Sequence, residues 1–166
     1  MTPTMIFQIH LLLGYGPWLL VCGAWLWPWL WSVDRVAAHR AIALINSFRF
    51  FGLVFLVPGV VSPNLPTGFA TMAAYGDFAT GLLAMLAVLA ERIRPLFWLS
   101  VVAFNVVGAA DILVDYGHGI AIGLPERAGE LGAAYAIPVL YVPLLMITHA
   151  TALMLMLRRR NDEATA

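Results

Sequence analysis

Five long apolar runs separated by short polar turns predict an all-α fold: a polytopic integral membrane helical bundle of about five transmembrane helices. Two further observations support that class. Of the 166 residues, 62% are hydrophobic and 11% charged, and the mean hydropathy is +0.88. A soluble domain carries about 25% charged residues and about 45–50% apolar ones, and a fold of this size leaves too much surface in water to hide the excess. The basic residues are also unevenly spread. Under five spans, Arg35, Arg40, Arg49, Arg92, Arg94 and Arg158 to Arg160 fall on one side, with Arg127 alone on the other. The positive-inside rule then puts the N-terminus outside and the C-terminus in the cytoplasm. The expected location is the bacterial inner (plasma) membrane, with the lipid bilayer as the principal partner.

The predicted organisation is a single transmembrane domain over 1–157, with spans at about 5–31, 42–61, 69–90, 95–114 and 133–157, and a polar cytoplasmic tail, 158–166. The first span is long enough to cross a hydrocarbon core of about 30 Å. It ends in Trp25, Trp27, Trp29 and Trp31, an aromatic cluster suited to the headgroup level. No secretory signal is expected, since MTPTMIFQIH lacks a basic leader region, and no lipid-anchor motif is visible.

Asp34 to Arg49 spaces Arg35, His39, Arg40 and Arg49 among apolar residues, which predicts an amphipathic helix on the membrane surface turning into the second span. Arg49 is expected at the headgroup boundary, snorkelling if it lies deeper; the alternative is an anion or carboxylate partner inside the bundle. A four-span chain would demote this second segment to a re-entrant or surface helix. The Pro-rich turn SPNLPTG follows.

In the third span, Gly76, Thr80, Gly81, Ala84 and Ala87 form a stripe of small residues suited to helix contact. Asp77 interrupts it, about 21 Å along the helix from Glu91, where a surface role is hard to sustain. The fourth span carries FNVVGAADILVDYGHG (Phe104 to Gly119), in which Asn105, Gly108, Asp111 and Asp115 share one helix face. Asp115 and His118 are expected to reach the far headgroups, with Gly117 and Gly119 ending the helix. The fifth span holds Pro138 and Pro143, whose missing N–H groups leave carbonyls for neighbours to satisfy.

Carboxylates in such segments are expensive and point to wet cavities or protein interiors. Depth counting assigns Asp77, Asn105, Asp111, His10 and Gln8 to the outer half, a polar pocket that binds a small ligand or relays protons. In that reading Asp77→Asn and Asp111→Asn abolish function without loss of folded protein. A second candidate site on the inner half is His149, Arg49 and Tyr141, suited to the carbonyl head of a quinone- or lipid-like molecule. A bis-His haem b would use His10 and His149, whose depths differ by about 8 Å; no cofactor is predicted. The remaining alternative is a structural or accessory subunit, or a homo-oligomer, packing its small-residue faces against a membrane-protein partner.

No catalytic motif is present, neither phosphate-binding loop, zinc-protease signature, nucleophile elbow nor paired cysteines, so no enzymatic activity is assigned. Cys22 alone supports no internal disulfide. Asp115 and His118 are three apart, but the flanking glycines argue against a metal site. Nucleic-acid binding has no support, because topology accounts for the basic residues. The run RFFGLVFLVPGV (Arg49 to Val60), with the Gly76–Asp77 pair in the next helix, resembles small DoxX-like membrane proteins over less than half of the chain. The Trp-rich first span departs from that pattern, and no function is carried across.

Overall fold

A computed structural model describes residues 1–157 of the chain; the polar tail expected over 158–166 lies outside the described residues. Five helices are long and apolar enough to cross a membrane: α1 (Pro3–Ser32), α2 (Arg35–Leu56), α3 (Thr67–Leu89), α4 (Arg94–Ala121) and α5 (Ile137–Leu157). No strand occurs among the described residues.

Helix α1 starts at Thr2, whose hydroxyl accepts from the Met5 N–H. It widens to a π-turn over Cys22–Leu26 just before Pro28, where the proline ring clashes with the ordinary hydrogen-bond register. The chain breaks at Val33, and Asp34 caps α2 by accepting from Val36 N at 2.9 Å and Ala37 N at 3.1 Å. Such a cap contributes about 1 kcal/mol.

Helix α2 differs from expectation. Residues 34–49 are no separate surface helix, and the span does not begin at 42. Arg35–Ser47 is α-helical and runs directly into a 3-10 stretch, Phe48–Leu56. Ala38, His39, Ile42, Ala43 and Asn46 are buried, so His39 and Asn46 face the bundle, while Arg40 is exposed and pairs with Glu91. A 3-10 helix has three residues per turn. Arg49, Gly52 and Phe55 therefore stack on one face, and all three are buried.

The small-residue stripe of α3 does pack as a contact surface. Thr80, Gly81, Ala84 and Ala87 of the stripe are buried, Gly76 is half-buried, and α3 packs most extensively on α4 and α2. Helix α4 is longer than predicted, running seven residues past Val114 to Ala121. Gly117 and Gly119 do not end it, because Gly119 is buried against Leu124 and Phe69 and the helix is supported by packing. The segment before α5 is not part of the fifth helix: Ala128–Tyr135 forms 3-10 turns, with Gly132 at φ 53°. There the glycine lets Val60 O approach where a Cβ would sit, and Ala133 N donates to that oxygen at 3.1 Å. With Ser62 N donating to Glu130 O at 2.8 Å, this pairing ties the 57–66 loop to the 122–136 loop.

Near Pro138 and Pro143, α5 opens into a π-turn, Ile137–Tyr141, and Trp18 Nε1 of α1 donates to the Leu140 carbonyl at 2.7 Å. Contacts sort the helix ends into two groups. Phe7 and Tyr135, Phe55 and Phe69, and Phe69 and His118 meet at one end. Trp27 and Thr151, Arg35 and the Met156 carbonyl, and Arg40 and Glu91 meet at the other.

A buried Arg49 network beneath an apolar cavity

Arg49 is the largest fully buried side chain among the described residues, with 1% of its surface exposed. The 3-10 stretch of α2 aims it between α3, α4 and α5. Its Nε donates to Asp77 Oδ1 at 2.6 Å. Nη2 lies 2.6 Å from the same oxygen and 2.5 Å from Asp111 Oδ2. Nη1 donates to the Gly108 carbonyl at 3.2 Å and to His149 Nε2 at 3.1 Å. A guanidinium has five N–H donors and no acceptor, so these contacts commit every part of it.

The donors also fix the His149 tautomer. Nε2 must accept from Arg49, so the ring proton sits on Nδ1 and is donated to Asn105 Oδ1 at 3.0 Å. The Asn105 amide nitrogen then donates to Val101 O at 2.8 Å. Beside His149, Asn46 Nδ2 donates to Ile42 O and to the hydroxyl of Thr148. A buried charge of this kind is tolerable only when paired and fully hydrogen-bonded.

Glycines make room for the network. A Cβ on Gly108 would stand 2.5 Å from His149 Nε2 and 2.6 Å from Arg49 Nη1, and one on Gly76 would overlap the Asp111 carboxylate. Gly52, one 3-10 turn from Arg49, leaves the space taken by Asp77.

Arg49 and Asp77 form the floor of a cavity of about 170 Å³ between all five helices. Its walls are Phe7, Leu11, Phe55, Phe69, Ala73, Ile112, Ile120, Ile137 and Val142, capped by Leu124 and Pro125 of the connecting loop. Asp115 and Tyr116 bring the remaining polarity, the Tyr116 hydroxyl sharing a 2.9 Å hydrogen bond with Tyr15. Asp111 lines a separate groove on the outer face of α3 and α4, beside Tyr75 and Gly76. The two carboxylates bracketing Arg49 thus border different spaces.

Residues 6–157 match the family described as a domain of unknown function (DUF8737). The chain belongs to the DUF8737 family. No curated protein and no solved structure matches it.

For this DUF8737 chain the two candidate sites read from the sequence are one. Asp77, Asn105 and Asp111 meet Arg49 and His149 in a single network, so the split into outer and inner halves does not survive. The Arg49 side chain does not reach out of the bundle: it is buried, and its carboxylate partners hold it inside. His10 and Gln8 are exposed and outside the network; His10 Nδ1 shares a 2.9 Å hydrogen bond with the Tyr135 hydroxyl instead. Tyr141 meets neither His149 nor Arg49 by a hydrogen bond, its hydroxyl donating to Ile45 O at 3.3 Å. A bis-His haem does not fit, because both ring nitrogens of His149 are engaged and His10 is committed to Tyr135. Asp115 and His118, expected among headgroups, are part-buried on the continuing helix, Asp115 on the cavity wall and His118 edge-on to Phe69. Among the described residues no group of three or more His, Cys, Asp or Glu is arranged to hold a metal ion.

Sequence reasoning missed Gly52 as a site residue and treated Gly76 only as a packing residue. The available signal was the repeated three-residue spacing of Arg49, Gly52 and Phe55, which holds one face over two turns only if α2 tightens to 3-10 there.

Proposed function

We propose that the protein is an integral membrane protein, N-terminus outside and C-terminus cytoplasmic, that binds a small amphiphilic molecule in the cavity above Arg49. The orientation follows from the arginine count. In it, the cavity lies toward the outer end of the bundle, where the 57–66 and 122–136 loops are. The lipid bilayer covers the apolar outer faces of the five helices. One observation carries the binding reading: an apolar chamber with a single polar end, the arrangement typical of sites that bury most of a ligand and orient it through a few polar groups. A rigid network rather than a flexible loop supplies that end, so the site is preformed.

The test uses 1-hexanol as probe, titrated calorimetrically into the full chain in phosphatidylcholine nanodiscs against protein-free discs. Ala73 is buried on the wall, and Ala73→Leu narrows the chamber while leaving the charged residues unchanged. Saturable binding that weakens about tenfold or more in that variant supports the reading, since each buried methylene contributes about 0.8 kcal/mol. Equal binding in both proteins, or none in either, overturns it.

A second reading is favoured by the placement of the carboxylates. Asp77 borders the cavity and Asp111 the outer groove, so a proton passing between the two spaces would be handed from one carboxylate to the other while Arg49, which does not deprotonate, stays charged beside them. Reconstituted vesicles carrying an entrapped pH-sensitive dye would show gradient decay above protein-free vesicles, lost in Asp111→Asn. Decay no faster than in protein-free vesicles excludes this reading.

A further inference from the structure

A buried arginine at the end of an apolar cavity invites an anionic ligand, yet the contacts argue against one. Every nitrogen of the Arg49 guanidinium is already donating, to Asp77, Asp111, the Gly108 carbonyl and His149. An incoming carboxylate or phosphate would find no free donor there and would have to displace a buried carboxylate. The acceptors are in the opposite condition. Asp77 lines the cavity, is 5% exposed, and accepts only through Oδ1 among the described residues. Asp115 lines the same cavity, and its Oδ1, closed off from water, has no hydrogen-bond partner among the described residues. Counting Asp77, Asp111 and Asp115 against Arg49 leaves the polar end with more acid than base. Unmatched acceptors of that sign in an apolar enclosure favour a cation that also donates hydrogen bonds.

We propose that the cavity is selective for a small primary amine carried on an apolar body, its ammonium meeting Asp77 and Asp115 while its chain lies against Phe55, Phe69 and Ile112. This rests on the cavity being a binding site and adds the charge of the head. An ammonium offers three donors and needs no acceptor of its own, which matches a wall that supplies only acceptors. Arg49 on this view is a positioning residue: it holds Asp77 toward the cavity and is not the group that meets the ligand.

Three probes of one chain length separate the possibilities: hexylamine, 1-hexanol and hexanoate, each titrated at neutral pH into the full chain in phosphatidylcholine nanodiscs, with protein-free discs as blank. Hexylamine is expected to bind about tenfold or more tighter than hexanol, the usual advantage of a charged hydrogen bond, and hexanoate not to bind measurably. In Asp115→Asn, which keeps size and polarity, the advantage of hexylamine over hexanol should fall to about threefold or less. Hexanol or hexanoate binding as tightly as hexylamine overturns the selectivity and leaves the binding site standing. No binding of any probe overturns both. An undiminished preference in Asp115→Asn overturns the assignment of the head to that wall, and the wild-type comparison decides the matter even if the variant does not fold.

Discussion

Asp77 and Asp111 share one nitrogen: Nη2 of Arg49 lies 2.6 Å from the first and 2.5 Å from the second. The two acids come from neighbouring helices, so the guanidinium joins α3 to α4 as well as to its own α2. One base against two acids also means that either acid can be neutralised while a matched pair remains.

That accounting makes a graded prediction. Asp77→Asn and Asp111→Asn keep an amide oxygen to accept from Arg49 and should each cost about 1 kcal/mol or less. The double variant leaves the guanidinium uncompensated and should cost about 3–5 kcal/mol, the range for breaking a buried pair. Thermal unfolding in detergent, followed by loss of helical circular dichroism, checks the series. A double variant no worse than the sum of its parts would deny that the three residues act as a unit.

Arg49→Lys should fail where charge alone is conserved. Lysine keeps one positive charge but replaces a planar fork of five donors with a single ammonium that cannot reach Asp77, Asp111, Gly108 and His149 together. A loss of about 2–4 kcal/mol is expected, seen as a reduced yield of monodisperse protein and a lowered unfolding temperature. A variant of wild-type stability would show that the fork geometry is dispensable.

Two glycines on the same helix give a paired test of packing. Gly108→Ala drives a Cβ into His149 and Arg49, both held by hydrogen bonds and unable to retreat, and should cost about 1–3 kcal/mol. Gly117→Ala has nothing within 4 Å of its Cβ and should change stability by about 0.5 kcal/mol or less. Comparable losses in both would place the cause in helix bending rather than in the network.

Orientation can be read with two single-cysteine variants in the background of buried Cys22. Asn64 lies in the exposed 57–66 loop and Arg92 in the exposed turn between α3 and α4. In intact cells a membrane-impermeant maleimide should label Asn64→Cys and reach Arg92→Cys only after permeabilisation. The reverse pattern would invert the topology and turn the cavity toward the cytoplasm.

The sequence alone determined that the chain is helical, that five runs are long and apolar enough to cross a membrane, and that Asp77, Asn105, Asp111 and His149 are misplaced in apolar segments and need an explanation. Those conclusions depend on sums over a window and on the high cost of burying a charge, both readable from residue types. The third and fourth helices were the most legible, because their small-residue stripe and polar face follow the ordinary 3.6-residue period. Only the tertiary structure decided where Arg49 goes. A charged residue near the start of an apolar run looks the same whether the preceding turns lie on a surface or enter the bundle. The answer depends on α2 continuing unbroken from Arg35, which puts Arg49 on the buried face of Ile42 and Asn46, and on the 3-10 stretch after Ser47, which keeps Gly52 and Phe55 in line with it. Depth counted along single helices also kept Asp111 and His149 in different halves. Side chains several ångströms long and helices in contact erase that difference, since a hydrogen bond is set by the distance between atoms on different helices and not by residue number along either one.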